Sequence, residues 1–133
     1  MKTLIQTVVI STLMIIAGPA WSAHGSTSHA IQILTCEQDS DTSDAKVETM
    51  ASEWLKAAKK IKGGENLQLS LHFPVAAKSG EIDLLMVLKT PSLGEWGTFM
   101  DNYPGSAAEK IDTKYKDDLD CGDSSLWESV EVN

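Results

Sequence analysis

The chain has 133 residues and a formal net charge of −8, with 19 acidic residues against 11 basic ones, every one of them lysine. Nucleic acid and anionic membrane surfaces both require a cationic footprint, and this composition denies them one. The absence of arginine removes the bidentate fork that clamps phosphate and carboxylate substrates, which argues against phosphoryl-transfer chemistry.

Residues 1–22 have the layout of a secretory signal peptide. Lys2 is the basic tip, the run from Leu4 to Ala17 is largely apolar, and Gly18-Pro19-Ala20-Trp21-Ser22 is a helix-breaking exit with small residues. The apolar run is about 14 residues long where a bilayer needs roughly 20, so an anchor is not expected. Ala20 and Ser22 supply small side chains three and one residues before a cut after Ser22, with Ala20 and Ala23 as alternative cut positions. The mature chain is then about 111 residues, one domain, and carries ten lysines and all nineteen carboxylates. The localisation expected is exported, periplasmic or secreted, with no membrane contact after cleavage. In such an oxidising compartment Cys36 and Cys121 read as a disulfide; a redox or metal pair fails on spacing, since there is no C-x-x-C and only three histidines.

Residues 23–29, rich in Gly, Ser and Thr, read as a flexible leader before a domain spanning 30–133. Residues 30–36 alternate, with Ile31, Ile33 and Thr35 on one side and Gln32, Leu34 and Cys36 on the other, which predicts a strand. Asp41 or Thr42 can cap a helix in which Val47, Met50, Ala51, Trp54, Leu55, Ala58 and Ile61 share one face, and Gly63-Gly64 stops it. Residues 66–73 switch to period two, with Leu67, Leu69, Leu71 and Phe73 opposite Gln68, Ser70 and His72. After a turn at Lys78-Ser79-Gly80, residues 82–88 are apolar on both faces apart from Asp83, as in an inner strand. Ser92 with Glu95 forms a capping-box pattern ahead of Leu93, Trp96, Phe99, Met100 and Tyr103. Pro104-Gly105 interrupts, and helix resumes at about Ser106. Past a Cys121-Gly122 turn, residues 126–132 read as a last strand, with Leu126, Val130 and Val132 on one face and Trp127 on the other.

The order strand, helix, strand, strand, helix, strand predicts an α+β domain of ferredoxin-like βαββαβ topology: a four-stranded antiparallel sheet, order 4-1-3-2, with both helices on one face. In that sheet the end of the first strand lies beside the start of the fourth, where Cys36 and Cys121 fall. The helices are expected to cover Ile31, Ile33, Leu67, Leu69, Leu71, Ile82, Leu84, Met86, Val130 and Val132. The second face, with Gln32, Leu34, Ser70, His72, Leu85, Val87 and Trp127, is too apolar to stay in water, and a face-to-face homodimer would cover it.

The stretch Leu119-Asp120-Cys121-Gly122-Asp123-Ser124-Ser125-Leu126-Trp127-Glu128-Ser129-Val130 resembles the ending of small exported bacterial proteins of unknown function. Asp83-Leu84-Leu85-Met86-Val87-Leu88 followed by Leu93-Gly94-Glu95-Trp96-Gly97 is similar to their central strand and helix entry. The layout is similar to the dimeric α/β-barrel superfamily, in which two ferredoxin-like subunits join their sheets around a central cavity. That resemblance implies a shape more than a chemistry, because the superfamily includes oxygenases, haem-handling enzymes and proteins with no known reaction.

The leading expectation is a non-enzymatic homodimer that takes a small apolar or mixed ligand in a cavity lined by Leu34, His72, Leu85, Val87 and Trp127. The alternative is an enzyme in the same cavity, with His72 as base and a cofactor acquired from outside; no cofactor, metal or catalytic residue is assigned from sequence. The acidic run Asp39 to Asp44 lacks the glycine and glutamate of a calcium loop. Asp117, Asp118, Asp120 and Asp123 would gather at one edge if the disulfide forms. His24 could chelate copper only as the first residue of the mature chain.

Overall fold

A computed structural model describes residues 28–76 and 82–132. The expected signal peptide, its cut site, most of the leader and the Lys78-Ser79-Gly80 turn lie outside the described residues. Seven elements follow in order: β1 (Ser28–Gln38), α1 (Asp44–Ala58), β2 (Gln68–His72), β3 (Leu84–Thr90), α2 (Leu93–Asn102), α3 (Ala107–Lys114) and β4 (Leu119–Val130). The strands form one sheet, β2-β3-β1-β4, with all neighbours antiparallel. Read from the other edge this is 4-1-3-2, so the ferredoxin-like α+β topology expected from the order of elements is the one the chain adopts.

Local chemistry fixes the helix ends. Ser43, rather than Asp41 or Thr42, caps α1, its side chain accepting from the Lys46 N–H. Thr42 is instead buried and donates its hydroxyl to Asp118 at 3.0 Å. Past α1 the chain doubles back through Gly63, whose φ of +86° suits glycine. A Cβ at Gly63 would sit 2.6 Å from the Phe99 amide nitrogen, and one at Gly64 would overlap the Ala58 carbonyl oxygen. Gly63 lets the chain just past α1 press directly on the backbone of α2, and Gly64 lets it close against the end of α1 beside the Phe99 ring. Ser92 caps α2 by accepting from the Glu95 N–H at 3.1 Å, but the reciprocal half of the expected capping box is not made, and Glu95 Oε2 is buried without a partner. The break at Pro104-Gly105 ends α2, and Ser106 caps α3, accepting from the Glu109 N–H.

The phase of β1 differs from the expectation. Register places Leu34 opposite Met86, Gln32 opposite Leu88 and Cys36 opposite Leu84, on the face that the helices cover. Ile31 and Ile33 pair with Lys89 and Val87 and lie on the open face. Both sides of β1 are apolar, so alternation alone does not say which one turns inward. Leu69, Leu71, Leu84 and Met86 do face the helices, as expected.

The core lies between the helices and the sheet. Phe99, Leu67 and Leu88 anchor one group of buried side chains, Cys36, Val47 and Leu84 another, and Leu34 packs against both. Cys36 and Cys121 are disulfide-bonded across β1 and β4. The β1–β4 pairing shifts register between Thr35, opposite Asp123, and Glu37, opposite Asp120. Two residues, Cys121 and Gly122, therefore stand against Cys36 alone. The turn expected at Cys121-Gly122 before the last strand is instead a bulge inside it, and β4 begins at Leu119.

Candidate functional site

The helix-covered side of the sheet is not completely filled. Between the sheet, α1 and the α2–α3 pair lies a cavity of about 180 Å³, open on one side. Leu34, Met86 and Leu88 form its floor, Met50, Ala51 and Trp54 its α1 wall, and Phe99, Met100, Tyr103 and Ile111 its α2–α3 wall. Three methionines give this lining an adaptable surface, since an unbranched thioether fills irregular space.

Few polar groups interrupt the apolar wall. Trp54 Nε1 donates to the Tyr103 hydroxyl at 3.2 Å, and that hydroxyl lies 3.4 Å from Asp112 Oδ2. Trp54 is brought in by α1, Tyr103 by the end of α2 and Asp112 by α3, so the Pro104-Gly105 break, with Gly105 at φ +78°, aims the last two at each other. Burial, reinforced by the negative charges of Asp112 and Glu109, pushes the Tyr103 hydroxyl up to about 12, against the opposing hydrogen bond from Trp54. Burial also raises Asp112 above the usual carboxylate range; Glu109 adds to this and the Tyr103 hydrogen bond opposes it. Elsewhere on the wall, Gln32 Oε1 accepts from Trp96 Nε1 at 3.1 Å. An indole nitrogen only donates, which fixes the amide oxygen toward Trp96 and leaves its second lone pair and the NH2 group for other partners. Tyr115, also on the lining, donates to Glu53 at 2.9 Å.

A pH dependence follows from Tyr103. In the unfolded chain a tyrosine ionises near pH 10, whereas the folded chain holds this proton to about 12. The folded state binds more protons in that window, so the contribution is complete below about pH 10 and is lost as pH rises through the folded value. Stability measured from pH 9 to 12 is expected to fall more steeply for the native chain than for Tyr103→Phe; parallel curves would contradict the assignment.

The residues expected from sequence to line a ligand site are divided by the sheet. Leu34 lies in the cavity just described, on the helix side. His72, Leu85, Val87 and Trp127 lie on the other, open face: His72 pairs with Leu85, Ser70 with Val87, and Ile31 with both Lys89 and Trp127. The five therefore do not form one site, because β1 is turned over relative to the expected phase. On the open face His72 Nε2 is 3.0 Å from Ser70 Oγ, and Trp127, 58% exposed, donates from Nε1 to Ser125 Oγ. The acidic edge is engaged in structure: Lys46 Nζ lies 2.6 Å from Asp118 Oδ1, and these contacts lower the Asp118 carboxyl below its ordinary range. Among the described residues no three His, Cys, Asp or Glu side chains are grouped to hold a metal ion. No described helix is long and apolar enough to cross a membrane.

No protein-family model matches the chain, and no curated protein matches it. Solved structures do. At3g17210 from Arabidopsis thaliana superposes with a TM-score of 0.52 at 11% identity, covering 80% of this chain and 96% of that one. A hydroxynitrile lyase from Passiflora edulis superposes with a TM-score of 0.50 at 6% identity, covering 80% and 94%. A dimeric ferredoxin-like protein of unknown function from Thermobifida fusca gives 0.45 at 12% identity, over 81% and 93%. At these identities the likeness is one of fold.

Proposed function

We propose that the protein is an exported homodimer that binds a small, mainly apolar molecule in the cavity between its helices and its sheet. The observation that carries this reading is the cavity: about 180 Å³ lies between the helices and the sheet behind a largely apolar lining and opens on one side, as a small-molecule site requires. An apolar space of about 150 Å³ holds one benzene-sized ring. The few polar groups, gathered at Gln32 and at Tyr103–Asp112, would orient a ligand rather than supply its binding energy.

The dimer rests on the open face of the sheet. Ile31, Ile33, Leu85 and Val87 lie there side by side with Trp127, and a second copy laid face to face would remove this apolar surface from water. In that arrangement His72, Leu85, Val87 and Trp127 form an interface and Leu34 a ligand wall. An enzyme built on His72 would have its base across the sheet from the cavity, whereas the titratable pair that faces the cavity is Tyr103 and Asp112. Export is supported by the sequence of residues 1–22 and by a disulfide suited to an oxidising compartment.

The test joins both parts. The mature protein is expected to sediment as a dimer and to bind a hydrophobic fluorescent dye at about one molecule per subunit. A monomer that binds no dye would contradict the proposal.

A further inference from the structure

We infer that the cavity selects a hydrophobic amine, one ring or a short chain in size, whose ammonium group is held by Asp112; this rests on the cavity being a ligand site. The ion pairs among the described residues are His29–Glu131, Lys46–Asp118 and Lys114–Glu53, and none of them includes Asp112. Its carboxylate stands at the exposed rim of the apolar cavity, where the Tyr103 hydroxyl is its side-chain hydrogen-bond partner and Lys116 lines the adjoining groove. Glu109 adds negative charge in the same neighbourhood, as its effect on both Tyr103 and Asp112 shows. No lysine lines this cavity, and the chain contains no arginine. A carboxylate ligand would meet like charge there, and an alcohol would gain no ion pair with Asp112.

The orientation follows from the second polar point. Gln32 is neutral and its oxygen already accepts from Trp96, so it offers an ammonium group at most one uncharged lone pair, a weaker partner than a carboxylate. The charged acceptor is at the Asp112 end.

Three probes of nearly the same shape separate charge from size: 2-phenylethylamine, 2-phenylethanol and phenylacetate, titrated calorimetrically into the full mature protein at neutral pH. The amine is expected to bind about tenfold more tightly than the alcohol, as for a partly exposed charge-assisted hydrogen bond, with phenylacetate weakest. In Asp112→Asn the amine should lose about tenfold, while the alcohol, whose hydroxyl can still bond the amide oxygen, changes by less than about twofold and thermal unfolding stays cooperative. Equal affinity for amine and alcohol, tight binding of phenylacetate, or an amine affinity unaltered by Asp112→Asn would overturn the inference and leave the cavity reading standing. If none of the three binds and the hydrophobic dye does not bind either, the cavity reading fails and the inference with it.

Discussion

Removing the disulfide, by replacing both Cys36 and Cys121 with alanine, is expected to lower the unfolding free energy by about 4 kcal/mol. The bond closes a loop of 85 residues, and in the chain-entropy model a loop of that length restrains the unfolded state by roughly this amount. A domain of this size has a total stability of about 5–15 kcal/mol, so the loss is a large fraction of the whole. The structure adds a local reason. β4 is an edge strand, most of its residues are exposed, and it is held along its length by β1 alone. The disulfide fastens it at the bulge, where backbone pairing is interrupted. Urea unfolding of the variant against the oxidised chain gives the magnitude, and hydrogen exchange should show β4 losing protection first. A difference below about 1 kcal/mol would mean that the unfolded chain gains little from the restraint.

Phe99→Ala is expected to cost about 3–5 kcal/mol, the range for removing a buried aromatic side chain. Phe99 is 1% exposed and is the largest fully buried side chain. It meets Trp54 edge-on with centroids 6.2 Å apart and Tyr103 at 5.6 Å, and its ring packs beside Gly64 at the end of α1. Because those glycines already bring two backbones together, the site has little freedom to collapse onto the void. Denaturant unfolding checks the value; a loss under about 1 kcal/mol would show that the helix layer is not locked by this ring.

Strand order was legible because two independent signals agreed. The succession of period-two and helical segments gives the topology, and the cysteines then fall at neighbouring strand ends. The facing of β1 was not legible. Ile31 and Ile33 are larger and more branched than Ala30 and Gln32, so they look like the core side, yet Ala30 is buried and Ile31 and Ile33 line the open face. The fully buried Cys36 carries the missing information: Leu34, two residues earlier, must share its side of the pleat. The start of β4 escaped notice because an exposed edge strand needs no apolar alternation, and Asp120, Cys121, Gly122 and Asp123 read as a turn.

The cavity itself left almost no trace in the sequence. Trp54 and Tyr103 appear there as ordinary core residues, Leu34 as a wall of a different cavity on the other side of the sheet, and Asp112 as one acidic residue among many. What joins them is the angle between α2 and α3 across Pro104-Gly105, which no periodicity encodes. The signal available was narrow: a tyrosine at the end of one helix and an aspartate nine residues later, on the last turn of the next, across a break. His72, by contrast, drew attention by its chemistry and lies exposed on an outer strand, bonded to Ser70.

The most direct measurement for the central claim is dye or amine titration of Ala51→Leu beside Val87→Asp. Ala51 lines the cavity on α1, and Val87 lies on the open face. Filling the cavity at Ala51 should abolish binding while the chain remains a dimer with cooperative unfolding, and Val87→Asp should disrupt the dimer while each subunit still binds. Undiminished binding by Ala51→Leu, together with loss of binding in Val87→Asp, would place the ligand on the open face of the sheet and contradict the account.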